Sequence, residues 1–183
     1  MINRVAILLL SVFALAACSS SGPTRDLNDP TNSLVFGYVD MADAPTKVNG
    51  AHIMQVAPPS DKPYWGMGVK DGMFYNAYLP AGSYRLSSLH GSGFFAGEHQ
   101  YNFPRQGGGD TTVRIDKPGI YFLGAYKYQK VKTGMFEQSK FAIERVSKPG
   151  EAELLQKMLD TDAELKNSAW GEKIRQRIAR LKK

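Results

Sequence analysis

The hydrophobic period of this chain changes once, near Pro149, and that change fixes the class of fold open to it. Before Pro149 the apolar residues come in short strand-type runs broken by Gly, Pro, Asn and Asp. After it they recur every three or four residues. Leu154, Leu155, Met158 and Leu159 lie at helical spacing, and Trp170, Ile174, Ile178 and Leu181 form one stripe of a final helix. A body of strands followed by a separate helical run is β-rich α+β.

The strand-type runs are Leu34 to Val39, Gly50 to Val56, Met73 to Leu79, Ser83 to Leu89, Glu98 to Phe103, Thr111 to Ile115, Ile120 to Tyr128 and Phe136 to Val146. Tyr64 to Gly68 reads as a short strand or an exposed aromatic loop. Pro58, Pro59 and Pro63 make the stretch before it a loop, because proline cannot donate to a sheet ladder. Pro80-Ala81-Gly82 turns the chain. Lys117-Pro118-Gly119 reads as a type II turn, with proline presetting φ and glycine supplying the positive φ that follows. His90 to Gly97 is glycine-rich and reads as a loop carrying Phe94 and Phe95. About eight short strands with regular turn signals predict an antiparallel sandwich. In the helical run, Pro149 suits a first turn. Thr161-Asp162-Ala163-Glu164 has the form of a capping box that opens a second, short helix.

The N-terminus carries a different signal. Met1-Ile2-Asn3-Arg4 is positive, and Val5 to Ala17 is apolar apart from Ser11. These 13 residues fall short of the about 20 that a helix needs to cross a bilayer, so they read as a signal peptide. They end in Leu15-Ala16-Ala17-Cys18, which contains the only cysteine. This run resembles the lipobox of bacterial lipoprotein precursors. The resemblance implies that the Cys18 thiol receives a diacylglycerol, that cleavage falls before it, and that the new amino group is usually acylated, with palmitate as the expected acyl chain. A thioether-linked thiol forms no disulfide. Two or three chains hold far more firmly than one, since each buried methylene adds about 0.8 kcal/mol. Ser19, where aspartate tends to retain such proteins at the inner membrane, implies an outer-membrane protein facing the periplasm.

Residues 18–32 form the lipidated cysteine and a tether rich in Ser, Gly and Pro, with little to bury. Residues 33–147 are the sandwich and 148–183 the helical segment. The net charge of +6 belongs to the tail: Lys166 to Lys183 holds seven bases and one acid, Glu172. Residues 18–165 hold 15 bases and 16 acids. A basic tail on a neutral body, in an exported chain, does not describe a nucleic-acid partner.

Within the body, Leu79-Pro80-Ala81-Gly82-Ser83-Tyr84-Arg85-Leu86 resembles the hairpin of carboxypeptidase-regulatory-like domains, which are transthyretin-like (prealbumin-like) β-sandwiches. Gly50-Ala51 before an apolar strand and Pro118-Gly119-Ile120-Tyr121 fit the same pattern. The resemblance covers residues 33–128. It implies that Tyr84 and Leu86 point into the core, and that the domain binds or scaffolds rather than catalyses.

Several side-chain sets bear on function. Tyr64, Trp65, Phe94, Phe95 and Tyr101 either fill the core or present rings to a partner or sugar. Arg175, Arg177 and Arg180 lie on the final helix. That helix either docks on the sandwich or faces anionic headgroups or cell-wall carboxylates. His90, Glu98 and His99 have metal-ligand chemistry, but adjacent strand residues point to opposite faces, so no metal site is expected. His90-Gly91-Ser92-Gly93 lacks the nucleophile-elbow pattern, and Gly107-Gly108-Gly109 lacks the lysine and hydroxyl of a phosphate loop. No cofactor motif and no coherent catalytic set emerge. The expectation is a non-enzymatic lipoprotein, anchored to the membrane by Cys18, that binds another envelope protein. The alternative is an accessory lipoprotein for glycan or peptidoglycan.

Overall fold

The computed structural model describes residues 25–93, 97–103, 111–131 and 141–183. Among these residues, nine strands and three helices follow in order: β1 (Ser33–Asp40), β2 (Lys47–Ala57), β3 (Tyr64–Lys70), β4 (Met73–Leu79), β5 (Gly82–Gly93), β6 (Gly97–Asn102), β7 (Thr112–Ile115), β8 (Ile120–Lys130), β9 (Phe141–Val146), α1 (Glu151–Thr161), α2 (Ala163–Asn167) and α3 (Ala169–Leu181). The fold is β-rich with C-terminal helices, as the change of period predicts.

The strands form one mixed sheet in the order β6-β5-β2-β3-β4-β1-β8-β9, with β7 on β5. Every pairing is antiparallel except β1 with β8, which run parallel from Leu34↔Ile120 to Asp40↔Lys127. The expectation of an all-antiparallel arrangement is therefore corrected. Alternation along a strand specifies which face is buried, and it is the same for a parallel or an antiparallel neighbour. The sheet curls until β7 lies beside β8.

The curl encloses an inner core. Val35, Ile53, Phe74, Leu79, Tyr84, Leu86, Leu89 and Tyr126 are all essentially inaccessible there. Tyr84 and Leu86 thus occupy the inner core, and the Tyr84 hydroxyl donates to Pro80 O at 3.0 Å across the corner. Burial pushes the Tyr84 phenol up to about 12.

A second core lies on the other face of β1 and β4. Leu34 and Phe36 alternate with Val35 and pack outward with Met73 and Ala77 against the helices. The Phe36 and Phe122 rings stack at 5.2 Å between centroids. Buried on both faces, β1 reads as a continuous apolar run. The helices contribute Leu154, Leu155, Met158, Leu159, Leu165, Trp170, Ile174 and Ile178. Each such side chain stabilises by about 1.5–3 kcal/mol relative to exposure. An isolated helix of 13 residues would be marginal in water, so this packing holds α3 in place. The apolar stripe therefore docks on the sheet, and only its last member, Leu181, is exposed.

Four local readings are corrected. Gly119 does not have a positive φ, so Lys117-Pro118-Gly119 is not the type II turn expected. Pro149 lies outside α1, whose N-cap is Gly150. Asp162, not Thr161, caps α2, its carboxylate accepting from Leu165 N at 2.8 Å. Thr161 instead ends α1 and donates its hydroxyl to Lys157 O. Aspartate caps as well as threonine does, so the sequence pattern admits either. Finally, His90-Gly91-Ser92-Gly93 is strand, not loop. A Cβ at Gly91 would meet Lys47 O at 2.3 Å, so its glycine serves close packing against β2.

Candidate functional site

The site begins at the tight turn between β3 and β4. Asp71 and Gly72 both have positive φ, 49° and 78°. Asp-Gly is the residue pair that such a two-residue hairpin turn demands. The two strands pair only next to it, at Val69↔Phe74 and Lys70↔Met73. They then part. β3 follows β2 from Gly50↔Gly68 to Met54↔Tyr64, and β4 follows β1 from Tyr38↔Met73 to Ser33↔Leu79. Both strands contribute to the one inner core, and a cleft of about 1120 Å³ opens between them.

Its walls are Tyr64, Trp65 and Met67 on β3 and Tyr75, Asn76 and Tyr78 on β4. Arg25 and Leu27 come from the segment leading into β1, Asp61 and Lys62 from the loop before β3, and Asp162 and Glu164 from the α1–α2 junction. Tyr64 is 57% exposed. Trp65 is half-buried and packs partly on the inner core. Its indole Nε1 is buried and has no partner among the described residues. Gly66 and Gly68 leave the outer surface of β3 bare, and a Cβ at Gly68 would touch nothing within 4 Å.

The polar groups of the far wall are held by one carboxylate. Asp162 accepts from the Tyr75 hydroxyl through Oδ2 while its Oδ1 caps α2. Burial, then the bond to Asp162, raises the Tyr75 pKa above the ordinary phenol range. Tyr78 is raised as well, by burial first and by the Glu164 charge next. The Asn76 side chain accepts from Tyr78 N at 2.8 Å and so occupies that β4 amide. Both tyrosines stay neutral hydroxyls at any physiological pH. The arrangement offers aromatic faces, hydroxyls and amides, with Arg25, Lys62, Asp61 and Glu164 all among the lining. That chemistry suits stacking and hydrogen bonding to a neutral or mixed-charge ligand.

The residues expected at a site fare differently. Tyr64 lines the cleft in the open, and Trp65 lines it from the core side rather than from a loop. Tyr101 is corrected: it is 6% exposed, its hydroxyl lies 2.9 Å from Thr46 Oγ1, and its ring meets Tyr128 edge-on. It is a core residue. Phe94, Phe95 and Cys18 lie outside the described residues. Arg177 is also corrected as a free contact, because its guanidinium donates to Glu151 at 2.8 and 3.3 Å and ties α3 to α1. Arg175 lies 3.4 Å from Glu172 and Arg180 reaches back to Gln176 O, both on the exposed face of α3. His90 meets His52, the side chain of His99 lies outside the described set, and no group of three His, Cys, Asp or Glu is gathered among the described residues.

Tyr75, Tyr78, Asn76 and Asp162 were not singled out from the sequence. The signal that points to the site is Asp71-Gly72, which marks β3 and β4 as a hairpin. Their divergence beyond it has no sequence marker.

No protein-family model matches the chain, and no curated protein or solved structure matches it. No helix among the described residues is long and apolar enough to cross a membrane.

Proposed function

We propose that this chain is a lipid-anchored cell-envelope lipoprotein, held at the outer membrane through Cys18, that binds another envelope protein in the β3–β4 cleft. The observation that carries the reading is the divergence of two neighbouring strands, which leaves their facing edges without each other. An extended partner segment lying between them would add backbone hydrogen bonds to β3 or β4, each worth about 0.5–1.5 kcal/mol net. Tyr64, Trp65 and Tyr78 would take alternate side chains of that segment. Arg25 lines the cleft and stands seven residues after Cys18, so the cleft mouth lies within about 25 Å of the lipid. That favours a partner at or near the same membrane.

The curled two-faced sheet, with Tyr84 and Leu86 in its inner core, supports a transthyretin-like reading of the domain. The parallel β1–β8 pair is the departure that this reading has to absorb. A glycan or peptidoglycan strand is the second reading, favoured by the tyrosines and the Asn76 amide around one cleft.

The test is site-specific photo-cross-linking in cells, with the cross-linker at Tyr64 and, separately, at Arg180. A single envelope protein captured from position 64 and not from 180 supports the cleft. The same products from both positions, or glycan fragments alone from 64, would turn the reading to α3 or to the glycan. Independently, Cys18→Ser should release the protein from membranes; retention in high salt would remove the lipid anchor from the proposal.

A further inference from the structure

The tether expected over residues 18–32 ends by Arg25. From Asp26 onward the segment is fastened to the body. Leu27 packs on the outer core. The Asn28 side-chain oxygen accepts from Ala169 N at 3.0 Å, at the start of α3. Asn32 Nδ2 donates to Asp26 O at 3.2 Å. Arg25 lines the β3–β4 cleft together with Ser60, Asp61 and Lys62 of the loop between β2 and β3. The chain therefore runs toward Cys18 from a fixed point beside that loop, and its seven steps span at most about 25 Å.

Two surfaces flank this exit, and they differ. The α1–α2 junction presents Asp160, Asp162 and Glu164. Carboxylates there are repelled by an anionic membrane surface. The other surface is the loop, exposed from Val56 to Lys62 and carrying Pro58, Pro59 and Pro63. Val56 and Tyr64 stand at its two ends, 45% and 57% exposed. Among the described residues, the other large hydrophobic left this open is Leu181. It ends α3, about 18 Å along the helix from Ala169. Lys62 and Arg25 reach toward headgroup phosphates from the loop side, against the one carboxylate of Asp61.

The loop backbone suits a surface with little water. An unsatisfied peptide group is what makes a loop costly to place in lipid. Of the six amide positions in residues 58–63, three belong to proline and carry no N–H. A fourth, Lys62 N, donates to Ser60 Oγ at 3.2 Å. Gln55 takes two of the carbonyls: its N–H donates to Pro63 O at 2.7 Å and its side-chain amide to Pro58 O at 3.1 Å. These bonds close the loop into a fixed shape, so little freedom is lost on contact. Tyrosine at its end suits the headgroup level, where the ring meets hydrocarbon and the hydroxyl stays wet.

We infer that the loop from Val56 to Tyr64 is a second, shallow contact with the bilayer that holds the lipid anchor, and that it orients the domain there. The inference rests on the reading of Cys18 as lipidated and adds a surface to it. A short tether keeps the loop at high effective concentration against the lipid, so the contact forms without high affinity of its own. Val56, Pro59 and Tyr64 enter the headgroup boundary, and the far end of α3 stays in water.

The lipidated full chain is reconstituted in protein-free vesicles of phosphatidylethanolamine and phosphatidylglycerol. Lipidation consumes the Cys18 thiol, so one introduced cysteine, Pro59→Cys or Arg180→Cys, takes a polarity-sensitive fluorophore. Flotation with the vesicles reports the anchor separately. Both labelled chains should float. The probe at 59 should shift to the blue and lose emission to nitroxide-bearing lipids, while the probe at 180 keeps its water-exposed spectrum. Val56→Glu, at an exposed position, should leave flotation intact and reduce the quenching at 59. A floating chain whose probe at 59 reads as water-exposed overturns the inference and leaves the anchor standing. Equal quenching at 59 and 180, or quenching untouched by Val56→Glu, overturns it as well. Failure to float removes the anchor and the inference with it. Burial of the probe in native envelopes but not in these vesicles would give the loop to a protein partner and overturn the bilayer contact.

Discussion

Gly171→Ala is the perturbation whose sign is most tightly set by the structure. Gly171 lies in the first turn of α3, where its N–H bonds Ser168 O at 3.1 Å. A Cβ added there would stand 2.0 Å from Lys166 O and 2.8 Å from Lys166 C. Both are backbone atoms of α2, so no side chain can swing away. Because real Cβ contacts stay above 3.0 Å, α2 and α3 must part by about 1 Å in an interior packed as densely as a crystal. That displacement carries Leu165 and Trp170, each 1% exposed, off the outer core. Overpacking of this kind costs about 1–3 kcal/mol. Alanine returns at most about 0.8–1.0 kcal/mol of helix propensity over glycine. The net expectation is a loss of up to about 2 kcal/mol, or up to about 8 °C in Tm for a chain of this length. Urea unfolding at unchanged m-value measures it. Gly68→Ala, with nothing within 4 Å, is the control and should fall within about 0.5 kcal/mol of the parent. A Gly171→Ala protein as stable as the parent would refute the close approach of the two helices.

Other outcomes follow from the same contacts. Tyr75→Phe removes the hydroxyl from Asp162 and should cost about 1.5–3 kcal/mol, the range for a bond to a charged group. Because the Tyr75 pKa is raised, the unfolded chain loses this proton first above about pH 10, so stability falls with pH there. Tyr75→Phe should flatten that fall in an alkaline denaturation series. His52 has the opposite sense. Its pKa is lowered, so the unfolded chain takes up the proton first. The contribution is complete above about pH 6.5 and is lost as pH falls toward the folded value. Urea midpoints between neutral and mildly acidic pH should show the loss, and His52→Gln should reduce it; an identical slope in the variant would contradict the burial assigned to this ring. Arg177→Ala should destabilise by up to about 1 kcal/mol, because its pair with Glu151 is partly exposed and screened. Arg175→Ala and Arg180→Ala should leave thermal stability unchanged by calorimetry.

Much of the architecture was legible residue by residue. Leu34 to Val39, Met73 to Leu79 and Ile120 to Tyr128 are strands because their apolar β-type runs can bury a face. Trp170, Ile174 and Ile178 are a docked stripe because three- and four-residue spacing puts them on one side of a helix. The candidate site was legible only in part. Tyr64 and Trp65 belong to the cleft, but Tyr101 has the same composition signal and fills the core. An aromatic ring looks alike in sequence whether it faces solvent or a neighbouring sheet. The histidines show the same limit: His90 and His99 are close along the chain, yet the ladder brings His90 to His52.

What the sequence determined by itself is the class of each segment: strands to residue 146, helices from 151, a neutral body with a basic tail. Period and composition carry that information because they depend on neighbours within a few residues. Only the tertiary structure decided which edges meet. It placed β1 parallel to β8 and split β3 from β4 to open the cleft. It gave Asp162 to both a helix cap and Tyr75, and it put two histidines 38 residues apart at hydrogen-bond distance. Those choices are made by packing two cores against opposite faces of one curled sheet, a long-range condition that no local run of residues encodes.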